Sequence, residues 1–430
     1  ELKIKLINMK ISVVIPTLDN PKDVINVIES LNLQLLLPAE IVIIDSSSNN
    51  EIKQLIENIN SAIPITYKRF GRAYSFDRLL LFFQALPFLK YLFPNFKKGR
   101  AFPYEASNYG ALTAQYEWLA LLDATTIPRK EWLRDYCNII ESGKADVVLG
   151  NTLYLATTFF QKILRASSFG ANGIETSPGS LIKKEDYLDG FQITEGVRSG
   201  GDVDWKNRIK KNFQSYTPKD PYLVYPNLPT RFLPCAKKFF IYSIYTAVQD
   251  INHSIKDLYL IAALIFTLVL IPKWNALVGW EESQFYIPHI TKVWLISVTL
   301  VLLISIVYNR VFLSTTEKYL LRNVHKITIF VLTSFIIYNW NGYFANWVES
   351  SVWYIPHITK IYILVICFAS FLYRGILFPI KHNISLSFLF PINWVLAGVV
   401  GLILDIIKAP GYLLGTILAP FIKIRRNSKS

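Results

Sequence analysis

Hydrophobic and polar positions divide the chain into two regimes. Up to Asp257 charged residues are frequent and apolar runs are short; beyond it charges are sparse and the runs lengthen. In the first regime Ile11-Ser-Val-Val-Ile15 is closed by Pro16-Thr17, and Ile41-Val-Ile-Ile44 by Asp45-Ser-Ser-Ser48. Continuous β-branched runs bounded by turn residues predict strands buried on both faces. Val24 to Leu33 and Glu51 to Ile59 carry apolar residues at helical spacing, and Ile63 to Tyr67 reads as a third strand. Strand, helix, strand, helix, strand predicts a parallel, right-handed, doubly wound α/β sheet. Leu119 to Leu122 is a further buried strand; it ends in Asp123, then small polar residues, Pro128 and a fresh helix. Ligands of open α/β sheets lie at the carboxyl ends of the strands, where an acid faces them.

The second regime predicts membrane. Leu258 to Ile271, Val293 to Tyr308, Ile327 to Phe344 and Ile361 to Tyr373 are apolar runs that approach the about 20 residues of a span by including aromatic flanks. Tyr286-Ile-Pro-His-Ile-Thr-Lys292 recurs as Tyr354-Ile-Pro-His-Ile-Thr-Lys360, which predicts a duplicated helical hairpin. His289 and His357 of the two copies are two ligands at most, short of a metal site. Between the regimes, Ile241, Ile244, Val248, Ile251 and Ile255 recur at helical spacing, predicting an amphipathic helix that lies in the membrane interface or packs on a domain. Near the end, Lys408, Pro410 and Gly411 interrupt an apolar stretch, which predicts a re-entrant or interfacial hairpin, or two short passes, rather than one long helix. The expected domains are 9–230, an interface helix at 231–257, four transmembrane helices in 258–380, and a terminal segment at 381–430 with a basic tail. The insert Gly71 to Gly99 is apolar with basic flanks; it suits a membrane interface or a helical pair packed on its own domain.

Charge sharpens this picture. The net charge is +14 with 52% hydrophobic residues, which points to an anionic partner. The basic residues flank apolar runs, so a membrane or a phosphorylated substrate is expected and nucleic acid is not. Arg310, Lys318, Arg322, Lys326 and the tail from Lys423 to Lys429 are basic, whereas the opposite loops hold Glu281, Glu282 and Glu349. The positive-inside rule places these basic loops, the tail and the first domain together in the cytoplasm, an integral multi-pass arrangement. Cys137, Cys235 and Cys367 are far apart, which argues against zinc and against a disulfide framework. No cleavable signal peptide is visible, and Met9 is the expected native start.

Ser12-Val-Val-Ile-Pro-Thr17, Ile41-Val-Ile-Ile-Asp45, Asn108-Tyr-Gly110, Leu121-Leu-Asp123-Ala-Thr-Thr-Ile-Pro128, Pro178-Gly-Ser-Leu-Ile-Lys183 and Val197 to Arg208 follow one another in order. The series, over residues 10 to 215, resembles glycosyltransferase family 2, inverting enzymes with the GT-A fold; the layout of domain, interface helix and hairpins resembles polyprenol-phosphate sugar synthases. The resemblance implies a nucleotide-sugar donor held by Pro16, Thr17, Asp45 and Asn108, with Asp123 at the first position of the family's Asp-x-Asp metal motif. It implies Asp202 as general base, with Asp204 as the rival, and Arg208 beside the leaving diphosphate. Gly179, Ser180, Arg198 and Trp205 are the expected acceptor side, for a polyprenyl phosphate or another lipid-linked acceptor. On the residues alone, Asp45 also reads as a helix cap, Asp202 and Asp204 as caps of the helix holding Trp205, and Trp205 as packing.

The departures matter. Thr125 stands at the second acid of Asp-x-Asp, and a hydroxyl is a poor ligand for magnesium or manganese, so the divalent cation that the resemblance implies is in question. Gly201 replaces the acid that precedes the family's base, and Ser107 replaces a basic residue. A non-catalytic nucleotide-sugar-binding scaffold therefore stands beside the enzyme, and a transporter is a third class, opposed by the scarcity of intramembrane charge other than Asp405. The sequence leaves oligomeric state open.

Overall fold

The computed structural model describes residues 9–71, 101–249, 270–286 and 367–418, together with 339, 340, 342, 343, 346 and 348. The insert beyond Gly71, the two repeat copies apart from Tyr286, three of the four apolar runs in all but a few residues and the basic tail lie outside the described residues. By internal contacts the chain divides into two units, Glu1–Lys238 with Leu377–Ala397 and Leu418–Ser430, and Phe239–Ile376 with Gly398–Ile417.

The first unit is a sheet covered on both faces. Its elements run β1 (Ile11–Thr17), α1 (Pro21–Asn32), β2 (Glu40–Asp45), α2 (Glu51–Asn58), β3 (Ile65–Arg69), α3 (Pro103–Thr113), β4 (Trp118–Leu121), β5 (Ile127–Pro128) and α4 (Trp132–Glu141). They continue with β6 (Val147–Tyr154), α5 (Phe159–Ser168), β7 (Ile174–Lys183), α6 (Lys184–Leu188), α7 (Gly201–Asn212), β8 (Ser215–Tyr216), β9 (Leu223–Tyr225) and α8 (Phe232–Val248). Among the described residues the strand order is β3-β2-β1-β4-β7-β6-β9-β5, with β8 beside β6. The β3-β2-β1-β4 half is parallel, and β7 is antiparallel to both β4 and β6. The sheet is therefore mixed, within an α/β domain.

Strand alternation builds the two cores. Val13 and Ile15 face one side with Val24, Val27, Ile28 and Leu31 of α1 and with Trp132 and Tyr136 of α4. Val14 and Ile44 face the other with Ala106 and Ala111 of α3 and Trp205 and Ile209 of α7. Each large side chain so buried contributes roughly 1.5–3 kcal/mol. Gly110 has a packing reason: a Cβ there would lie 2.4 Å from Val14 Cγ1 and 3.0 Å from Ile44 Cγ1. Only a glycine lets α3 lie this close to β1 and β2, and that closeness brings the start of α3 to the strand ends.

Two short helices, α9 (Phe378–Lys381) and α10 (Leu386–Leu389), belong to the same unit. The Ala171 N–H donates to His382 O at 2.9 Å, and the Asn383 amide to Asn172 Oδ1 at 3.2 Å. Gly170 makes room for His382, whose Cβ would be 2.5 Å from a Cβ there. Leu377, Ile380, Leu386, Phe390 and Ile392 of this segment are exposed.

In the second unit, residues 367–376 are helical and α11 runs Asn393–Leu418, of which Gly398–Ile417 belong here. The break expected at Lys408-Pro410-Gly411 is absent: α11 continues through Pro410. Proline removes one N–H and frees the carbonyl one turn earlier, which a packed helix tolerates. Here the packing is close: Cβ atoms at Gly411 and Gly415 would lie 2.6 Å from Phe240 O and 2.2 Å from Ile244 O. Ile244 and Val248, predicted for a membrane-facing stripe, are buried, so that part of α8 packs on protein. Asn393–Tyr412 is long and apolar enough to cross a membrane, with a mean hydropathy of 1.7. It is the one such helix among the described residues.

Candidate active site

The strand ends are laced together. Asp45 is fully buried; its Oδ1 accepts from the Ser47 N–H at 2.8 Å and its Oδ2 from the Tyr67 hydroxyl at 2.9 Å. Burial, and then that carboxylate, push the Tyr67 hydroxyl up to about 12. Arg69 donates to Asn50 Oδ1 at 2.6 Å and to Ser47 O at 2.7 Å, closing the loop that follows β2. The helix after Asp45 starts with Asn50 in the cap position, so Asp45 is not its cap. Pro16 and Thr17 close β1; Thr17 is 5% exposed and its buried Oγ1 has no hydrogen-bond partner.

Asp123 leaves the end of β4 on a short turn, in which Thr126 donates from its N–H and its hydroxyl to Asp123 O at 3.1 and 2.9 Å. Its carboxyl is pushed up to about 6, first by burial and then by the charge of Asp202, with Lys238 opposing. Asp202 sits in the first turn of α7, after Gly200 at φ 82. The Tyr104 hydroxyl donates to Asp202 Oδ1 at 3.2 Å. The two acids thus approach from separate elements, one at a strand end and one at a helix start, whose backbone amides favour negative charge. An acid at Gly201 has no room: a Cβ there would meet the Tyr104 ring at 2.8 Å.

Two cations are within electrostatic reach of these acids, Lys238 of Asp123 and Lys206 of Asp202. Lys238 Nζ is 3.3 Å from the Tyr225 hydroxyl and 5.2 Å from that ring's centre. Burial, then the charge of Arg198, lower the Lys237 pKa. Lys206 donates to Glu175 O at 2.5 Å and feels the charge of Asp202; burial lowers its pKa.

No family model matches this chain, and no curated protein does. Solved structures are similar to it. S. aureus TarS 1-349 in complex with UDP is 16% identical with a TM-score of 0.40, covering 78% of this chain and 93% of that one. The same protein in complex with UDP-GlcNAc is 14% identical with a TM-score of 0.38, covering 85% and 90%. A longer TarS structure is 13% identical with a TM-score of 0.37 over 82% of this chain, which spans about half (53%) of that one.

Several residues predicted for the site have other work. Asn108 is saturated: its amide donates to Ile193 O at 2.8 Å and Glu195 Oε1 at 3.1 Å, and its oxygen accepts from the Tyr187 hydroxyl at 2.7 Å and the Ile193 N–H at 3.2 Å. Arg208 bonds Asp204 Oδ2 at 3.1 Å, Gly190 O at 3.2 Å and Gln192 O at 2.6 Å, so its guanidinium holds the loop before α7. Asp204, the rival base, accepts from the Thr194 hydroxyl at 2.7 Å and from Arg208 Nε at 3.1 Å. Trp205 is fully buried, its indole N–H on Phe191 O at 2.7 Å, which is the packing reading. Ser180 is buried in β7, donating to Thr176 O at 3.2 Å and accepting from the Gly150 N–H at 3.0 Å. Gly179, at φ +88, faces Leu223 at 2.1 Å from an added Cβ and receives the Trp132 indole N–H at 3.0 Å. Asp204, Arg208, Trp205, Ser180, Gly179 and Asn108 therefore form the frame, while Asp123 and Asp202 remain electrostatically coupled; Thr125 is partly buried and Arg198 is exposed.

Sequence reasoning missed Tyr104, Glu105 and Lys238. Glu105 Oε1 accepts the Gly196 N–H at 2.7 Å, tying α3 to the same loop. None of the three lies in a motif, and Lys238 is remote from every motif; the doubled Lys237-Lys238 ahead of an apolar helix is the one signal in the sequence. For a divalent cation the donor set is poor: among the described residues no three His, Cys, Asp or Glu side chains come together. Asp123 has Thr125 for its second ligand position and an ammonium within electrostatic reach.

Proposed function

We propose that this protein is an inverting glycosyltransferase that moves a sugar from a nucleotide-diphosphate sugar to a lipid-linked acceptor at the cytoplasmic face of a membrane. The observation that carries the reading is Asp123 at the carboxyl end of a parallel strand, electrostatically coupled to Asp202 at the start of α7. That arrangement suits in-line displacement at an anomeric carbon. The acceptor oxygen forms a bond to that carbon as the bond to the diphosphate oxygen breaks, inverting its configuration. If the acceptor is a hydroxyl, Asp202 takes its proton, with the Tyr104 hydroxyl holding the carboxylate. A lipid phosphate is already anionic, and Asp202 then orients it.

The membrane side of the reading is supported by α11 and by the exposed apolar residues of the 377–392 segment that precedes it. A surface of Leu386, Phe390 and Ile392 next to a candidate span suits the bilayer interface. We place the catalytic domain in the cytoplasm and the remaining apolar runs in duplicated hairpins, from their hydropathy and the positive-inside rule.

The test is transfer of label from a panel of nucleotide sugars into organic-extractable lipid by membranes holding the wild type or Asp202→Asn. Label should enter lipid with the wild type and fall by about 10²–10⁴-fold in the variant. No transfer from any donor while nucleotide still binds would favour the second reading, a non-catalytic nucleotide-sugar-binding scaffold, which the threonine at position 125 supports.

A further inference from the structure

We infer that Tyr104 is the positioning residue of Asp202: its side chain, carried by another element, takes the place beside the base that an acid at position 201 would hold. The inference rests on the reading of Asp202 as base and deepens it by naming what aims the carboxylate.

Tyr104 lies in the first turn of α3, one residue after the proline that opens the helix. Its hydroxyl donates to Asp202 Oδ1 at 3.2 Å. Its ring lies along the backbone of α7 at Gly201, where an added Cβ would meet Cδ2 and Cε2 at 2.8 Å each. Ring and hydroxyl form one rigid phenol, so a group that displaces the ring also moves the donor. Glycine at 201 is therefore the condition for Tyr104 to reach Asp202. The position that lacks the expected acid is the position over which the tyrosine ring is laid.

The same helix fixes the approach to α7. Asn108, one turn from Tyr104, donates to Ile193 O at 2.8 Å, and Glu105 accepts from the Gly196 N–H at 2.7 Å. Residues 193–196 lead into α7, whose start is set by Gly200 at φ 82. Tyr104, Glu105 and Asn108 thus hold from one helix both the entry to α7 and the acid in its first turn. Tyr104 and Asp202 are each half-buried, as a pair that a substrate must reach has to be.

A carboxylate on a helix has several staggered rotamers, and displacement in line tolerates little misplacement. A donor on Oδ1 selects one rotamer and leaves Oδ2 to receive the acceptor proton. Such a contact commonly tightens once the acceptor is in place. A hydroxyl suits the position better than a second acid, because adjacent carboxylates repel whereas a donor attracts.

The experiment is a double-mutant cycle on the full chain in membranes. It uses the nucleotide sugar that best labels lipid, with UDP and GDP as binding probes. Tyr104→Phe removes the hydroxyl and keeps the ring. It should lower kcat by about 10-fold and leave donor KM and nucleotide affinity within about 2-fold, the pattern of a contact that matters only in the transition state. On the residual rate of Asp202→Asn the same change should cost less than about 2-fold, because Tyr104 acts through Asp202. Gly201→Ala should cost about as much as Tyr104→Phe, and the two together no more than either. An unchanged kcat in Tyr104→Phe overturns the inference, and so does an equal loss with and without the Asp202 carboxylate. A raised KM with weakened nucleotide binding overturns it too, because Tyr104 would then be structural. In each of these cases the loss of transfer in Asp202→Asn leaves the transferase reading standing. Wild-type transfer by Asp202→Asn would remove the base assignment and this inference together, and transfer from no donor would remove the transferase reading with them.

Discussion

Asp123 carries a cost that its position imposes. Its carboxyl, on a side chain that is only partly covered, is pushed up to about 6 from 3.8 for a free side chain, chiefly by desolvation and then by the charge of Asp202. Between those two values the folded state holds more proton than the unfolded one, so this group's contribution to stability falls as pH rises through the window. Above it the ionised, ligand-free site bears a penalty on the order of 1–3 kcal/mol. Asp123→Asn is therefore expected to raise the melting temperature at pH 7.5, to lose that advantage as pH falls towards 4, and to abolish sugar transfer. Thermal melts of both proteins across this range check it; an advantage that persists undiminished at pH 4 would mean that shape, not charge, was relieved. At this scale the sequence was informative about chemistry and poor about availability. Asp123 stood out because a strand-end acid has a local signature, whereas Asp202 was singled out only by the family resemblance. Whether a polar side chain is already saturated has none: Asn108, Arg208 and Asp204 look like ligands in the sequence and turn out to bond the loop at 190–196. Tyr104 and Lys238 reach the acids from segments far apart along the chain, and no spacing rule joins them.

That loop is the element on which the site depends. Side chains from α3 and α7 grip it from two sides, through Asn108 on Ile193, Glu105 on Gly196, Trp205 on Phe191 and Arg208 on Gln192. Asn108→Ala would strand the Tyr187 O–H and Ile193 O in a dry environment and leave the Ile193 N–H only its 3.5 Å bond to the Tyr187 oxygen. The expected loss is about 3 kcal/mol of stability, read by chemical denaturation, with nucleotide binding falling only as far as the loop loosens. The same geometry explains why Gly201 does not carry the acid expected before the base. Gly201→Glu should lower activity rather than restore it, because its Cβ would push the Tyr104 ring from Asp202. Adding Tyr104→Ala should recover the folding defect of Gly201→Glu but not its activity; a single Gly201→Glu variant with raised transfer would refute this account. The parallel strands were legible because burial on both faces leaves continuous apolar runs. The antiparallel pair of β6 and β7 was not. Its polar residues satisfy each other across the strands, as in the 2.7 Å bond between the Thr152 and Thr176 hydroxyls, so the hydrophobic signal is broken where the structure is not.

For the molecule as a whole, the question is where a net charge of +14 meets a chain rich in apolar surface. The arrangement within the second unit offers a direct test. Asp405 of α11 accepts from Arg374 Nε and Nη2 at 2.9 and 2.8 Å and from Lys408 Nζ at 2.9 Å, with the ion-paired side chains only 17–18% exposed. Gly401 leaves room for the Arg374 stem, which would lie 2.5 Å from a Cβ on that glycine. Charges in a span are costly and persist where they are paired. Asp405 was visible in the sequence as the notable intramembrane charge; its partner Arg374 was hidden because it is more than a helix away. If α11 lies in the bilayer, Asp405→Ala leaves two cations facing one another in a low dielectric and should cost about 3–5 kcal/mol. Replacing all three with apolar residues of similar volume, as in Arg374→Met with Asp405→Leu and Lys408→Met, should return most of that loss, since burying an ion network is itself expensive. Thermal aggregation in mild detergent, followed by size-exclusion chromatography, reads the three proteins side by side. A single variant as stable as the wild type would mean that water reaches the triad and that α11 lies along the membrane surface. A single variant that collapses while the triple variant recovers would mean that the network sits in lipid or protein and that α11 is held there by packing rather than by charge.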